Sequence, residues 1–241
     1  MRRIWAVLIT VVFLYFLIHD VLSIIPDFGN FDVFTRAVFD IIHKSTKDNY
    51  EPVEFKKSVN REDGSANVVT SIVVNYRSFD TLGEVTVLFT AAFGVGILST
   101  SLRRKSPLEF EEHFVLKIST GIILPLILLF GAYIFIHGHL TPGGGFPGGT
   151  VIALGMLLLM LSDKQFKITN VAKHTEQIAG SGYVIVGLLG MALSGVFLMN
   201  FLPTGVVGNL FSAGVVPIVY VLIGFKVGAE LSSIISEMKE G

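Results

Sequence analysis

Residues Ile4 to Ile25 form an almost unbroken apolar run, and several more runs of similar character follow it along the chain. A hydrocarbon core of about 30 Å needs about 20 apolar residues at 1.5 Å per helical residue. Within that core every backbone N–H and C=O must be satisfied by the chain itself, so runs of this length have to be helices. The later runs are Thr81–Thr100, Phe114–Ile136, Gly148–Leu161, Ile178–Leu202 and Ala213–Ile235. The fourth is short unless the glycines before it enter the bilayer. The expected fold class is therefore all-α: a polytopic membrane helical bundle of about six transmembrane helices. Between the first two spans, Phe31, Phe34, Val38, Ile41 and Ile42 recur near helical period. They predict an amphipathic helix over Phe31–His43 lying at the outer interface. The run NVVTSIVVNY, Asn67 to Tyr76, is too short to span.

The basic start Met1-Arg2-Arg3 would also suit a signal peptide, but the first run is too long and lacks a small-residue cleavage site. It is read as an uncleaved span. Arg103, Arg104 and Lys105 follow the second run, and Lys164, Lys167 and Lys173 follow the fourth. The links 137–147 and 203–212 contain no Lys or Arg. This alternation predicts a cell-membrane protein with both termini cytoplasmic. The 26–66 loop carries basic residues outside, but acidic residues balance them there, and long loops obey the rule weakly.

The net charge of −1 gives no basic field for nucleic acid, and a cysteine count of 0 removes iron–sulfur ligation, thiol redox chemistry and disulfides from this chain. No metal, nucleophile or cofactor constellation appears, so the chain is not expected to be an enzyme in its own right or to hold a cofactor. Any electron transfer belongs to a partner.

The connection HGHLTPGGGFPGG, His137 to Gly149, is the densest motif. Gly143, Gly145 and Gly148 spell GxGxxG, yet an apolar span precedes them where a dinucleotide site needs a strand, and no phosphate-loop Lys follows. A tight turn with close helix approach accounts for the glycines and prolines. It does not account for His137 and His139, which read either as surface histidines or as a proton exit at the end of a span.

Ionisable groups within spans mark function by default. Arg77, Asp80 and Glu84 follow i, i+3, i+7 and share a face if the stretch is helical. Glu84 is the first candidate for an exchanging carboxylate; the other reading is an interfacial Arg77–Glu84 pair. Asp80 joins this path or caps the helix. Lys226 and Glu230, four residues apart in the last span, form a second polar site or a pair in which Lys226 snorkels to the interface. His19 and Asp20 in the first span read as structural. Glu109, Glu111, Glu112 and His113 read as a solvated or partner-facing helix start. Gly224 with Gly228, and Gly182, Gly187, Gly190 and Gly195, read as packing surfaces.

The glycine motif resembles the signature of the B subunit of Mrp-type multisubunit sodium/proton antiporters, the MnhB domain, and of the corresponding small subunit of membrane-bound hydrogenases. The resemblance runs from about Pro107 to Glu240 and includes LPLILLFGAYIFIHGH, LFSAGVVP and GFKVGAEL. NVVTSIVVNYRSFDTLGEVTVLFTAAFGV is similar to the tail of the large Mrp A subunit and to the E subunit of membrane-bound hydrogenase complexes. The chain is thus expected to be a fusion. Residues 1–104 would be an E-like unit with two transmembrane helices and an external loop, and residues 105–241 an MnhB-like unit with four. The resemblance implies that Glu84, in DTLGE, lies on the family's ion path. It also implies a non-redox subunit of an Mrp-type antiporter module that helps translocate Na⁺ or H⁺; the residues themselves add Asp80, His137, His139, Lys226 and Glu230 to Glu84 as candidates for the ion path. Expected partners are the lipid bilayer, other Mrp-type subunits and, in a ferredoxin-driven respiratory complex, hydrogenase or other iron–sulfur subunits. A free-standing antiporter is the alternative setting, and a scaffold without ion contact the reading from a different class.

Overall fold

The computed structural model describes residues 54–61, 63–101, 114–163, 166 and 170–240, with Val11 and Tyr15 besides. The expected first span, the amphipathic segment Phe31–His43, His19, Asp20, the basic cluster 103–105, Lys164, Lys167 and Glu109 to His113 lie outside the described residues. The chain divides into two compact units, Met1–Asp40 and Ile41–Gly241, and the elements named below all belong to the second.

These elements are α1 (Val68–Thr70), a π-helical turn (Ser71–Tyr76), α2 (Ser78–Ser101), α3 (Phe114–Ile136), α4 (Gly145–Ser162), α5 (Asn170–Ser194) and α6 (Val216–Glu240). Helices α2 to α6 are each long and apolar enough to cross a bilayer. No strand occurs among the described residues, where extended pairing is limited to an antiparallel bridge between Val59 and Val206. The protein is an all-α, multi-pass membrane protein, as the apolar runs require.

Helix α6 is the hub. It packs against α2, α3, α4 and α5, and half of its span is buried within the chain, against 11% for α2 and 17% for α3. The outer faces of α2 and α3 are consequently apolar and unpartnered, with Phe93, Leu126 and Leu129 exposed. Tyr183, Val216, Val219, Ile223 and Val227 form the centre of the core, joined by Val85 from α2.

Three helix boundaries differ from the sequence reading, each for a local reason. The run at 67–76, too short to span, is helical, continues into the π turn, and breaks at Arg77, whose backbone leaves helical geometry (φ −117, ψ 36), so that α2 begins at Ser78 and not Thr81. Helix α4 starts at Gly145, not Gly148, because Gly144 turns the chain with φ 128 and Pro147 is tolerated in the first turn, where its missing N–H costs nothing. That extension gives α4 its spanning length. Helix α5 stops at Ser194 and does not reach Leu202. Gly195 (φ 80) and Leu198 (φ 62) reverse the chain, and Leu198 N–H donates back to Gly187 C=O at 3.2 Å.

Residues 195–215 therefore form an irregular return segment at one end of the bundle. The 54–66 stretch lies over it: Lys56 N–H donates to Val207 C=O and Asn60 N–H to Gly205 C=O, both at 2.8 Å. With the α3–α4 connection these segments make a cap on that end.

Candidate functional site

The glycine motif is built for close approach of helices. A Cβ at Gly145 would sit 2.5 Å from the Ile223 side chain, and one at Gly149 would sit 2.7 Å from Gly224 C=O. Gly148 is equally tight against Gly131 C=O, at 2.8 Å. The space that side chains would take at these positions is filled by α3 and α6, which leaves no cradle for a phosphate. The motif's loop is held from the N-terminal side. Asn67 Nδ2 donates to Gly138 C=O (3.1 Å) and Thr141 C=O (3.0 Å), Thr70 Oγ1 donates to Gly138 C=O (2.7 Å), and Tyr220 O–H donates to Thr70 Oγ1 (2.9 Å).

The two histidines of the loop diverge. His137 is at the rim, stacked on Tyr133 at 4.3 Å with Nδ1 3.2 Å from Tyr133 C=O. His139 is fully buried in the cap, and neither ring nitrogen has a hydrogen-bond partner of good geometry among the described residues. Burial pushes its pKa below the ordinary imidazole value, backbone groups of Asn209 and Leu210 counter this in part, and His137 adds to it. Ser212 Oγ is likewise buried in the cap without a hydrogen-bond partner among the described residues.

Of the three groups expected to share a face near the start of α2, Arg77 falls on the break and turns to Asp80, with Nε to Oδ2 at 2.6 Å. The pair is exposed. The alternative reading of an Arg77–Glu84 pair is thus not met: Arg77 pairs with Asp80, because the π turn shifts Arg77 off the helical phase. Glu84, the seventh residue of α2, is exposed.

The charged residues of α6 behave differently. Lys226 and Glu230 flank Gly228, the midpoint of the 25-residue helix, and are 8% and 0% exposed. Lys226 is thus buried at mid-helix with its ammonium directed to carboxylates rather than to solvent. Lys226 Nζ lies 3.3 Å from Glu230 Oε2 and 3.8 Å from Glu176 Oε1 on α5, and 5.1 Å from the centre of the Phe89 ring on α2. At an effective dielectric constant of about 20 these two ion contacts are worth roughly 5 and 4 kcal/mol, so the ammonium's preference between the carboxylates is on the order of thermal energy. The Lys226 stem fits because residue 180 is glycine: a Cβ there would stand 3.2 Å from it. Neither Glu230 oxygen meets a hydrogen bond of good geometry among the described residues. Two turns further on, the Glu237 carboxylate reaches α2 at Gly96, where a Cβ would be 2.7 Å from Oε2.

Sequence reasoning does not find Glu176 or Glu237. It places Glu176 in the polar link DKQFKITNVAKHTEQ, but that link is already helical from Asn170. The usable signal is the apolar run that resumes directly after Gln177, with Gly180 one turn beyond Glu176.

The family described as "Domain related to MnhB subunit of Na+/H+ antiporter" matches residues 115–233, and the family of the MBH E subunit matches residues 21–111. The membrane-bound sulfane sulfur reductase, an archaeal respiratory membrane complex, contains a chain 38% identical to this one. The match has a TM-score of 0.70 and covers 100% of this chain and 99% of that one. A chain of the Mrp complex from Dietzia sp. DQ12-45-1b is 25% identical, with a TM-score of 0.61 over 73% of this chain and 21% of that chain. The probable A/B subunit of a K⁺/H⁺ antiporter of Rhizobium meliloti is 29% identical over 59% of this chain. This chain spans only 16% of the Rhizobium protein's length.

Proposed function

We propose, for a chain that belongs to the MnhB-related family of antiporter subunits and carries an N-terminal unit like the MBH E subunit, a direct part in cation/proton translocation within a redox-driven respiratory complex of the cell membrane. The observation that carries this reading is the buried Lys226–Glu230–Glu176 cluster at the middle of α6. Charges are costly to keep in hydrocarbon and are worth keeping where an ion passes. The respiratory setting is supported over a free-standing antiporter by a likeness that covers the whole of both chains for the sulfur reductase complex and only part of the Mrp chain. In this reading the E-like unit ends near residue 104 and the B-like unit begins there, the termini are cytoplasmic, and other antiporter-type subunits and iron–sulfur subunits cover α2 and α3. Glu84 then faces a subunit boundary, where it serves as an exchanging carboxylate, with Asp80 beside it and His137 and His139 at the proton exit.

The test is Na⁺/H⁺ exchange by the assembled complex in sealed vesicles carrying Glu230→Gln or Glu84→Gln. The expected result is an assembled complex whose exchange falls towards background. Wild-type exchange from both variants would leave only the scaffold reading.

A further inference from the structure

We propose that Glu176, Lys226 and Glu230 form a single proton-loading site, in which one proton at a time resides on one carboxylate while Lys226 pairs with the other. This rests on the translocation reading above and specifies the ion that this chain handles: H⁺, not Na⁺.

Charge counting comes first. One ammonium stands between two carboxylates, so the fully ionised cluster carries an uncompensated negative charge in a site where Glu230 has no exposure at all. Among the described side chains the surrounding elements supply nothing to neutralise it. Helix α4 has no ionisable residue between Gly145 and Ser162, and α2 presents the Phe89 ring. On α3, Lys117 is exposed near the end of the helix, and on α5 His174 is exposed as well. On α6 itself the next ionisable group is Glu237, again an acid. A buried site with one negative charge in excess recruits one cation.

Chemistry then selects the cation. Na⁺ prefers several oxygen ligands, whereas the Glu230 carboxylate has an ammonium at 3.3 Å that repels any further metal-sized ion. Among the described residues no three His, Asp or Glu groups converge to hold a metal ion. The ammonium opposes a proton too, but a proton needs one oxygen and no ligand shell. It binds covalently to one carboxylate oxygen, forms one O–H bond and breaks none within the protein. Both Glu230 oxygens, buried and without a hydrogen bond of good geometry, are acceptors in want of it.

The near-equal distances from Lys226 Nζ to Glu230 and Glu176 supply the alternation. When Glu230 is protonated the ammonium pairs with Glu176, and when Glu176 is protonated it pairs with Glu230. Gly180 leaves room for the stem to move, and the Phe89 face keeps the ammonium attracted in either position. Glu237, seven residues from Glu230 and so near the same face of α6, extends the acidic line towards the helix end.

The experiment is infrared difference spectroscopy of the intact complex in lipid nanodiscs, titrated with H⁺ at low and at high Na⁺. Wild-type complex should show a protonated-carboxyl C=O band that titrates, is unmoved by Na⁺, and disappears in Glu230→Gln or Glu176→Gln. The double variant Lys226→Gln/Glu230→Gln, neutral as a pair, should retain one titrating band from Glu176 and so reports on the site even if a single variant folds poorly. A wild-type band that shifts or vanishes with Na⁺ overturns the proposal in favour of a Na⁺ ligand set. A wild-type complex with no titrating carboxyl band, or with one unaffected by all three variants, overturns it in favour of a permanent ion cluster. Wild-type ion exchange by variants that have lost the band would refute the translocation reading and leave the proton site intact.

Discussion

The two sides of α6 solve opposite problems. On one side Gly224 and Gly228 meet Gly149 and Ile152 of α4 and Phe135 of α3, with helix backbones in near contact and no charge in the interface. On the other, Lys226 and Glu230 face Glu176, Gly180 and Phe89 across spaces filled by long polar side chains. Five residues of one helix, 224 to 228, thus alternate between a dry seam and a charged cleft. Tight packing of α4 on α6 gives the charged side a firm backing. Association of helices within lipid gains nothing from the hydrophobic effect, so close van der Waals contact has to supply that backing.

Removing a charge tests the cleft and should give the largest effect. Lys226→Met leaves Glu230 buried beside Glu176 with no cation between them. Breaking a buried ion pair costs about 3–5 kcal/mol, which should appear as a lower unfolding midpoint and poor assembly. The companion variant Lys226→Met/Glu230→Leu removes both charges and should recover most of the midpoint, while ion exchange stays lost. Recovery of exchange together with stability would mean that the cleft is only structural.

The seam should be next in rank. Gly149→Val places atoms within 2.7 Å of Gly224 C=O and 2.8 Å of the Val227 side chain, where backbone has to shift. Overpacking of this kind costs typically about 1–3 kcal/mol, read as a lower midpoint with the carboxyl titration unchanged in whatever protein remains folded. Gly121→Ala on the open face of α3, where nothing lies within 4 Å of a new Cβ, is the control and should leave the midpoint unchanged or slightly raised.

A smaller, pH-dependent effect belongs to the cap. His139 is buried with its pKa below the ordinary 6.5, so the unfolded chain binds more protons than the folded one in acid. Its contribution to stability is complete above 6.5 and declines as the pH falls from there through the lowered value. His137, Glu54, Lys56, Lys57, Arg61 and Asp63 are the other charged or titratable groups among the described residues of the cap region. His139→Gln should flatten the acid limb of a midpoint-against-pH curve, and an unchanged limb would show that the imidazole is not taken into the fold uncharged.

Much of this arrangement is legible in the sequence, because in lipid the apolar run and the backbone's need for internal hydrogen bonds leave helix as the only answer. Helices α2 to α6 follow directly. The glycine motif is legible as a tight turn, though not as the seam's chief component, since nothing in the sequence says which helix Gly145 and Gly149 will touch. The end of α5 is not legible: Leu198 adopts a positive φ that an apolar residue rarely takes, and only the tertiary return of residues 195–215 enforces it. Lys226 with Glu230 is visible as an i, i+4 pair, whereas Glu176 needs the third dimension, coming from another helix. The alternative pairing of Arg77 with Glu84 does not form because a π turn adds residues per turn and breaks the phase on which an i, i+7 argument depends.

That phase break supplies the smallest prediction and the sharpest contrast with the cleft. Arg77 and Asp80 make an ion pair closer than the one between Lys226 and Glu230, yet both side chains are at least half exposed. Exposed pairs are worth about 0–1 kcal/mol, since water and salt screen the charges and two long side chains lose freedom. Arg77→Ala should therefore shift the midpoint by no more than about 2–4 °C and lose that difference at high salt. In the assembled complex the same variant measures the α2 surface. If a partner covers Arg77, Asp80 and Glu84, burial removes the screening, and the cost in assembly should rise well above the cost in the isolated chain. Equal, small costs in both would place the start of α2 in water even after assembly, and would move the exchanging carboxylate away from Glu84 to the charged side of α6.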